Sequence, residues 1–278
     1  MNPTTKAAPV PLDDRLDWSA LGTLFTLTLR QHLRGFRLVL ICLLFALPTL
    51  VVVLIRLSDP VPPRASELEI GMVLTLLPMA LVPLAALLYA SGMIRDEVEE
   101  QTLTYLLVRP LPRRALYVTK LLATYVLVAA LAGSFAVLTM IAVHWGKPGF
   151  WGEIVPVRAL QVALLVALAL VAYCSIFGLI SLYTRWSLVA GIFYILLFEA
   201  TLGNLEFAVR KLTVLYYFRV LAVRWLDLRR GTWLIDLADA PEAVTCVLVL
   251  LSVGVLTTLL ASVGFSNREF PVKTPEGG

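Results

Sequence analysis

Apolar residues in this chain gather into long runs, and the short segments between them hold most of the charges. Six runs match the length at which a helix crosses roughly 30 Å of hydrocarbon. They cover residues 38–55, 70–94, 117–143, 157–183, 187–202 and 243–265, the fifth being short. Strand-like alternation is absent from them, which argues against a β-barrel. Pro48 predicts a kink in the first span, because proline removes a backbone bond. Pro78 and Pro83 predict a bent second span whose freed carbonyls face protein or water.

Two further segments show weaker periodicity. Residues 17–37 place Trp18, Leu21, Phe25, Leu29, Leu33 and Phe36 on one helical stripe. Ser19, Thr23, Thr26, Arg30, Arg34 and Arg37 fill the opposite one. Such a helix lies in the headgroup plane, and its arginines favour an anionic leaflet; the alternative is an extension of the first span. Residues 204–241 are too charged to span, yet Leu212, Leu215, Tyr216, Val220 and Val223 keep helical spacing. One or two interfacial or re-entrant helices are expected there.

Composition agrees with this pattern. Of 278 residues, 59% are hydrophobic and 15% charged, against about a quarter charged in soluble domains. The fold class expected is an all-α polytopic membrane protein in one transmembrane domain, with a multi-pass position in the lipid bilayer. The net charge of +4 reads as orientation and gives little support for nucleic-acid binding. Cys42, Cys174 and Cys246 each sit inside an apolar run and read as small buried hydrophobes. Neither a metal-binding cysteine pattern nor a signal peptide at residues 1–17 is visible.

With the N-terminus inside, inner segments hold thirteen lysines and arginines and outer segments ten. Six of the outer ten lie in the single segment after the fifth span. A structured external element there restores the positive-inside bias, with both termini cytoplasmic.

Residues 95–116 carry the functional signal. Asp96, Glu97, Glu99 and Glu100 gather where a helix begins, which suits its dipole, and Val98, Leu103, Leu106 and Leu107 form an apolar stripe. Arg109 falls in the last turn and Pro110 and Pro112 stop it. The object is a short helix, acidic at one end and basic at the other, held between two spans. It suits docking into a groove on a soluble partner, or lying on the membrane as a helical hairpin. The stretch Ile94, Glu97, Glu99, Thr102, Leu103, Leu106, Leu107, Pro110, Arg113 and Lys120 resembles the ABC-2-type permease family, the membrane subunits of ATP-driven exporters. It departs from that family's pattern at Gln101, where glycine is usual, and at Pro112, where serine is usual.

The resemblance implies a bacterial inner-membrane exporter subunit whose ATPase is a separate chain. No GxxxxGK[ST] loop is present, so no cofactor is expected on this chain and ATP would be bound by the partner. Two permease subunits, alike or different, would pair with two ATPase subunits. Glu97, Glu99, Arg109 and Arg113 would form the ATPase-coupling contacts, where charge pairs fix register and specificity.

Glu199, inside the fifth span, is expensive at depth and reads either as a pathway or gating residue or as a structural hydrogen-bonding group. Ala159, Ala163 and Ala167 repeat every four residues, as close helix packing allows. His32 and His144 read as polar anchors. Arg210, Lys211, Arg219 and Arg224 read as headgroup contacts or attractors of an anionic substrate. No catalytic constellation is visible. An ion-driven secondary transporter would need more ionisable residues in the spans or an inverted repeat; a non-transporting tether or regulator stays open.

Overall fold

The computed structural model describes residues 18–58, 64–99, 112–146, 155–204, 208–228, 232–235 and 239–267. The chain begins with α1 (Trp18–Arg34) and α2 (Phe36–Ser58), separated at Gly35. A short α3 (Ala65–Leu68) leads into a π-helical stretch (Glu69–Leu81) and then α4 (Val82–Glu99). Next come α5 (Arg113–His144), α6 (Val155–Tyr183) and α7 (Ser187–Tyr194). The helix of α7 continues as a π stretch (Ile195–Thr201) and a 3-10 turn (Leu202–Asn204). After a second 3-10 turn (Ala208–Leu212) comes α8 (Val214–Trp225), then a third (Thr232–Leu234) and α9 (Ala243–Asn267). No strand occurs among the described residues.

Among the described residues, six helical segments are long and apolar enough to cross a membrane: Phe36–Ser58, Ala65–Ile94, Arg113–His144, Pro156–Tyr183, Ser187–Asn204 and Ala243–Asn267. The protein is an all-α polytopic membrane protein. Its second and fourth spans are the most buried, and its first, fifth and sixth the least. The fourth, α6, is the hub and packs on α4, α5, α8 and α9.

The two prolines of the second span sit where its winding changes. Pro78 lies inside the π stretch and Pro83 just after the return to α-helix at Val82. Proline has no N–H to donate, and its ring crowds the carbonyl four residues back; the wider π turn moves that carbonyl away. Pro48 is buried inside α2, whose helical assignment runs through it.

Small residues set the closest approaches. A Cβ on Gly254 of α9 would lie 3.2 Å from the Val171 carbonyl oxygen of α6, and one on Gly133 of α5 would lie 3.8 Å from the Ala163 Cβ. Ala159 is buried in contact with Val137 and Ile141 of α5. The alanine repeat of the fourth span thus packs on the third at Ala159 and Ala163.

Helix α1 is a separate helix and packs on α5. Its buried stripe is Leu21, Leu24, Thr28 and His32, rotated from the stripe expected. Trp18, Leu33 and Phe36 are exposed. The periodicity found an apolar side facing either lipid or protein, and it cannot separate the two. Here they are neighbouring stripes.

Gly254→Ala should push α9 off α6 and destabilise the protein by about 1–3 kcal/mol, the usual cost of overpacking. Gly71→Ala, where a Cβ meets nothing within 4 Å, should leave stability unchanged. Thermal melts of the detergent-purified chains check both.

Candidate functional site

The bundle has two polar ends. At the first, α1 meets the end of α4 and the start of α5. His32 Nε2 is 3.1 Å from Thr124 Oγ1, and its ring stands edge-on to Tyr89 at 5.2 Å. Lys120 is buried and donates from Nζ to the Met93 carbonyl at 3.2 Å. The third span is thereby tied to the second just before the second leaves the bundle. Helix α4 continues to Glu99, so Asp96, Glu97 and Glu99 lie in the last turn of the second span's helix and not, as their charge suggests, in the first turn of a new one; no glycine or proline interrupts it between Ile94 and Asp96. The side chains of Glu97 and Glu99, and the whole of Arg109, lie outside the described residues. Arg113 donates from Nη1 to the Ser266 carbonyl at 3.4 Å, joining the start of α5 to the end of α9.

At the opposite end lies α8. It is only 12 residues long, about 18 Å at 1.5 Å per residue, too short to cross. Nine of its residues are buried, and it packs against α6, α9 and the π stretch of the second span. A short helix is expected between residues 204 and 241, and α8 is one.

The N-terminal pole of α8 is met by Glu199. The carboxylate is 0% exposed. It accepts from the backbone N–H groups of Val214 at 3.3 Å and Leu215 at 3.0 Å, and from the Tyr194 hydroxyl at 3.3 Å. Thr213 is the N-cap, its hydroxyl accepting from the Tyr216 N–H at 3.2 Å. Three of the N–H groups that a helix start leaves unpaired are therefore satisfied, and the negative charge matches the helix dipole. The Tyr173 hydroxyl lies beside the same carboxylate but outside direct hydrogen-bond geometry.

Arg219, on the buried side of α8, donates from Nη1 to the Gly203 carbonyl at 3.2 Å and from Nη2 to Asn204 Oδ1 at 2.9 Å. Burial pushes its guanidinium down from the ordinary range, and Tyr173 and Glu199 counter that shift. The group also sits 5.5 Å from the ring centroid of Trp233, whose Nε1 donates to Thr75 Oγ1 at 3.2 Å. Trp233 holds a positive φ of 55°, a conformation uncommon for a bulky residue. Arg224 donates to the Pro241 and Ala240 carbonyls at 3.1 and 3.0 Å. Arg219 and Arg224, read from sequence as headgroup or substrate contacts, instead have described hydrogen bonds to backbone and Asn204 acceptors. Arg210 lies 5.4 Å from the Tyr216 ring centroid.

A second cluster joins the ends of three spans. Glu69 is 2% exposed. Its Oε1 accepts from Arg158 Nε at 3.1 Å, and its Oε2 lies 3.4 Å from His144 Nε2. His144 Nδ1 is 3.2 Å from the Met140 carbonyl oxygen. Arg56, at the end of the first span, donates to the Val143 and Trp145 carbonyls. His144 is a polar anchor, and its partner lies 75 residues away in sequence. Arg56, Glu69 and Arg158 were not singled out from sequence. Each ends or begins a span, where a lone charge looks like an ordinary boundary marker.

In either orientation Glu199→Gln would turn an NH2 group toward a backbone N–H, that of Val214 or of Leu215, which cannot accept. The expected loss is about 1–3 kcal/mol, as for a buried group left unsatisfied, read as a lowered thermal midpoint of the purified protein. Lys211→Gln, an exposed change, should leave it unmoved.

A family model described as an ABC-2 family transporter protein matches residues 31–201. The match takes in the first four spans, most of the fifth and the whole segment between the second and third. No curated protein matches the chain significantly. With more than half of its length matched and six membrane-spanning helices in place, the chain belongs to the ABC-2 family of transporter membrane proteins.

Proposed function

We propose that this chain is the permease subunit of an ATP-binding cassette exporter, pairing with a second permease and driven by separate ATPase subunits. The observation that carries the reading is the family match, which includes residues 95–116 whole. The end bearing α1 and Glu99 would face the cytoplasm of a bacterial inner membrane, with both termini there. Segment 95–116 would receive the ATPase through Glu97, Glu99, Arg109 and Arg113. A second permease would sit on the exposed faces of the first and fifth spans, which carry Leu43, Leu47, Leu50, Ile192, Phe193 and Leu196. The hydrogen bonds of Lys120 and Arg113 support force transfer, as they fasten the base of the coupling segment to α4, α5 and α9.

Glu199 in this reading anchors the external helix. Its acceptors are filled by two backbone N–H groups and a hydroxyl, a setting suited to a fixed charge. That arrangement speaks against an ion-driven transporter, in which a carboxylate in the spans must exchange its cation or proton.

The test is co-purification with the ATPase subunit. Glu97→Lys and Arg113→Glu should each weaken complex recovery and lower permease-stimulated ATP hydrolysis by roughly ten-fold or more, as for lost charge pairs at an interface. Normal complex formation and hydrolysis by both variants would overturn the coupling assignment.

A further inference from the structure

Arg158 lies in the first turn of α6, where its charge opposes that helix's own dipole. Two contacts explain its place. Nε donates to Glu69, and Nη2 donates to the Leu226 carbonyl at 3.0 Å. Leu226 is the C-cap of α8. The helix closes with Leu226 N–H on the Ala222 carbonyl and Leu228 N–H on the Val223 carbonyl at 3.3 Å. Asp227 between them has a φ of 49°. This is the reversal in which a left-handed residue folds the chain back on the last turn. Arg158 Nη2 supplies a donor to the Leu226 carbonyl and brings positive charge to the negative pole of α8.

The two poles of α8 are held by opposite charges from different spans: Glu199 of the fifth at the start, Arg158 of the fourth at the end. They differ in what release would leave behind. Withdrawing Glu199 would strand a fully buried carboxylate and the helix N–H groups together, while Arg219 still bound α8 to Gly203 and Asn204. Withdrawing α8 from Arg158 breaks one hydrogen bond. Arg158 keeps its charge partner, because Glu69 sits on the second span, and its side chain is already 33% exposed. A charge that stays paired avoids the large penalty of an uncompensated buried ion.

We propose that Arg158 is a positioning residue that clasps the C-terminal pole of α8 to the Glu69–His144 corner. The C-terminal pole opens at Leu226 while Glu199 still holds the other. The clasp is a property of this chain alone and does not depend on the exporter reading.

The experiment uses the full-length detergent-purified chain with Cys42, Cys174 and Cys246 replaced by alanine and a single reporter, Leu226→Cys, which keeps the carbonyl. Residue 226 is 3% exposed, so its reaction with a hydrophilic maleimide reports opening at this pole. Arg158→Lys keeps a cation beside Glu69 but loses the forked reach to Leu226. It should speed labelling roughly ten-fold, the size expected for one charged hydrogen bond, with the thermal midpoint lowered by only a few degrees. The charge-balanced pair Glu69→Gln and Arg158→Gln together should do the same. A Val214→Cys reporter at the other pole, also buried and keeping the backbone N–H on Glu199, should not respond to either. Unchanged labelling at residue 226 in both variants would overturn the clasp, and so would equal acceleration at both reporters. Should one variant fail to fold, the other decides alone.

Discussion

A helix that packs among membrane spans without being one of them brings both of its ends in with it. Where packing keeps water away, its first N–H groups and last carbonyls need other partners, because a buried group left unpaired costs about 1–3 kcal/mol. Helix α8 meets that constraint with Glu199, Thr213 and Arg158. Much of this end of the molecule follows. Glu199 must be buried, so the fifth span turns its carboxylate away from lipid. Arg158 needs a counter-ion, so the second span begins with a buried acid. That acid has a second oxygen, beside which His144 closes the third span. A short helix that cannot cross thus dictates polar residues on four of the spans that do.

The opposite end follows a different logic. Polar contacts there, among them His32 to Thr124, Lys120 to Met93 and Arg113 to Ser266, fasten helix to helix around the end of α4 and the start of α5. Both ends rely on hydrogen bonds from a basic side chain to a backbone carbonyl, but the α8 end adds two buried carboxylates, Glu69 and Glu199.

The spans could be read directly because hydrocarbon thickness translates into run length, a local property of sequence. The family resemblance was local too, a contiguous string from Ile94 to Lys120. The partnerships at the α8 end are the reverse case. Glu69, His144 and Arg158 are brought together from positions 75 and 89 residues apart, and no spacing rule links them. Arg219 and Arg224 show a related limit. Composition marks a basic segment, but only packing tells whether an arginine looks out at headgroups or in at a carbonyl. In α1 the error was one of rotation, since lipid and protein both reward apolar side chains.

One consequence concerns α5. Lys120 and His144 lie on the same unbroken helix, 24 residues apart, or roughly 36 Å at 1.5 Å per residue. That is more than the thickness of the hydrocarbon layer. One belongs to the fastening at the end of α4 and the other to the corner that holds Glu69. The third span is therefore a strut with a polar joint at each face of the membrane. Communication between the two faces needs no relay of side chains through the apolar interior: a rod that slides or tilts at one joint is displaced at the other in the same instant.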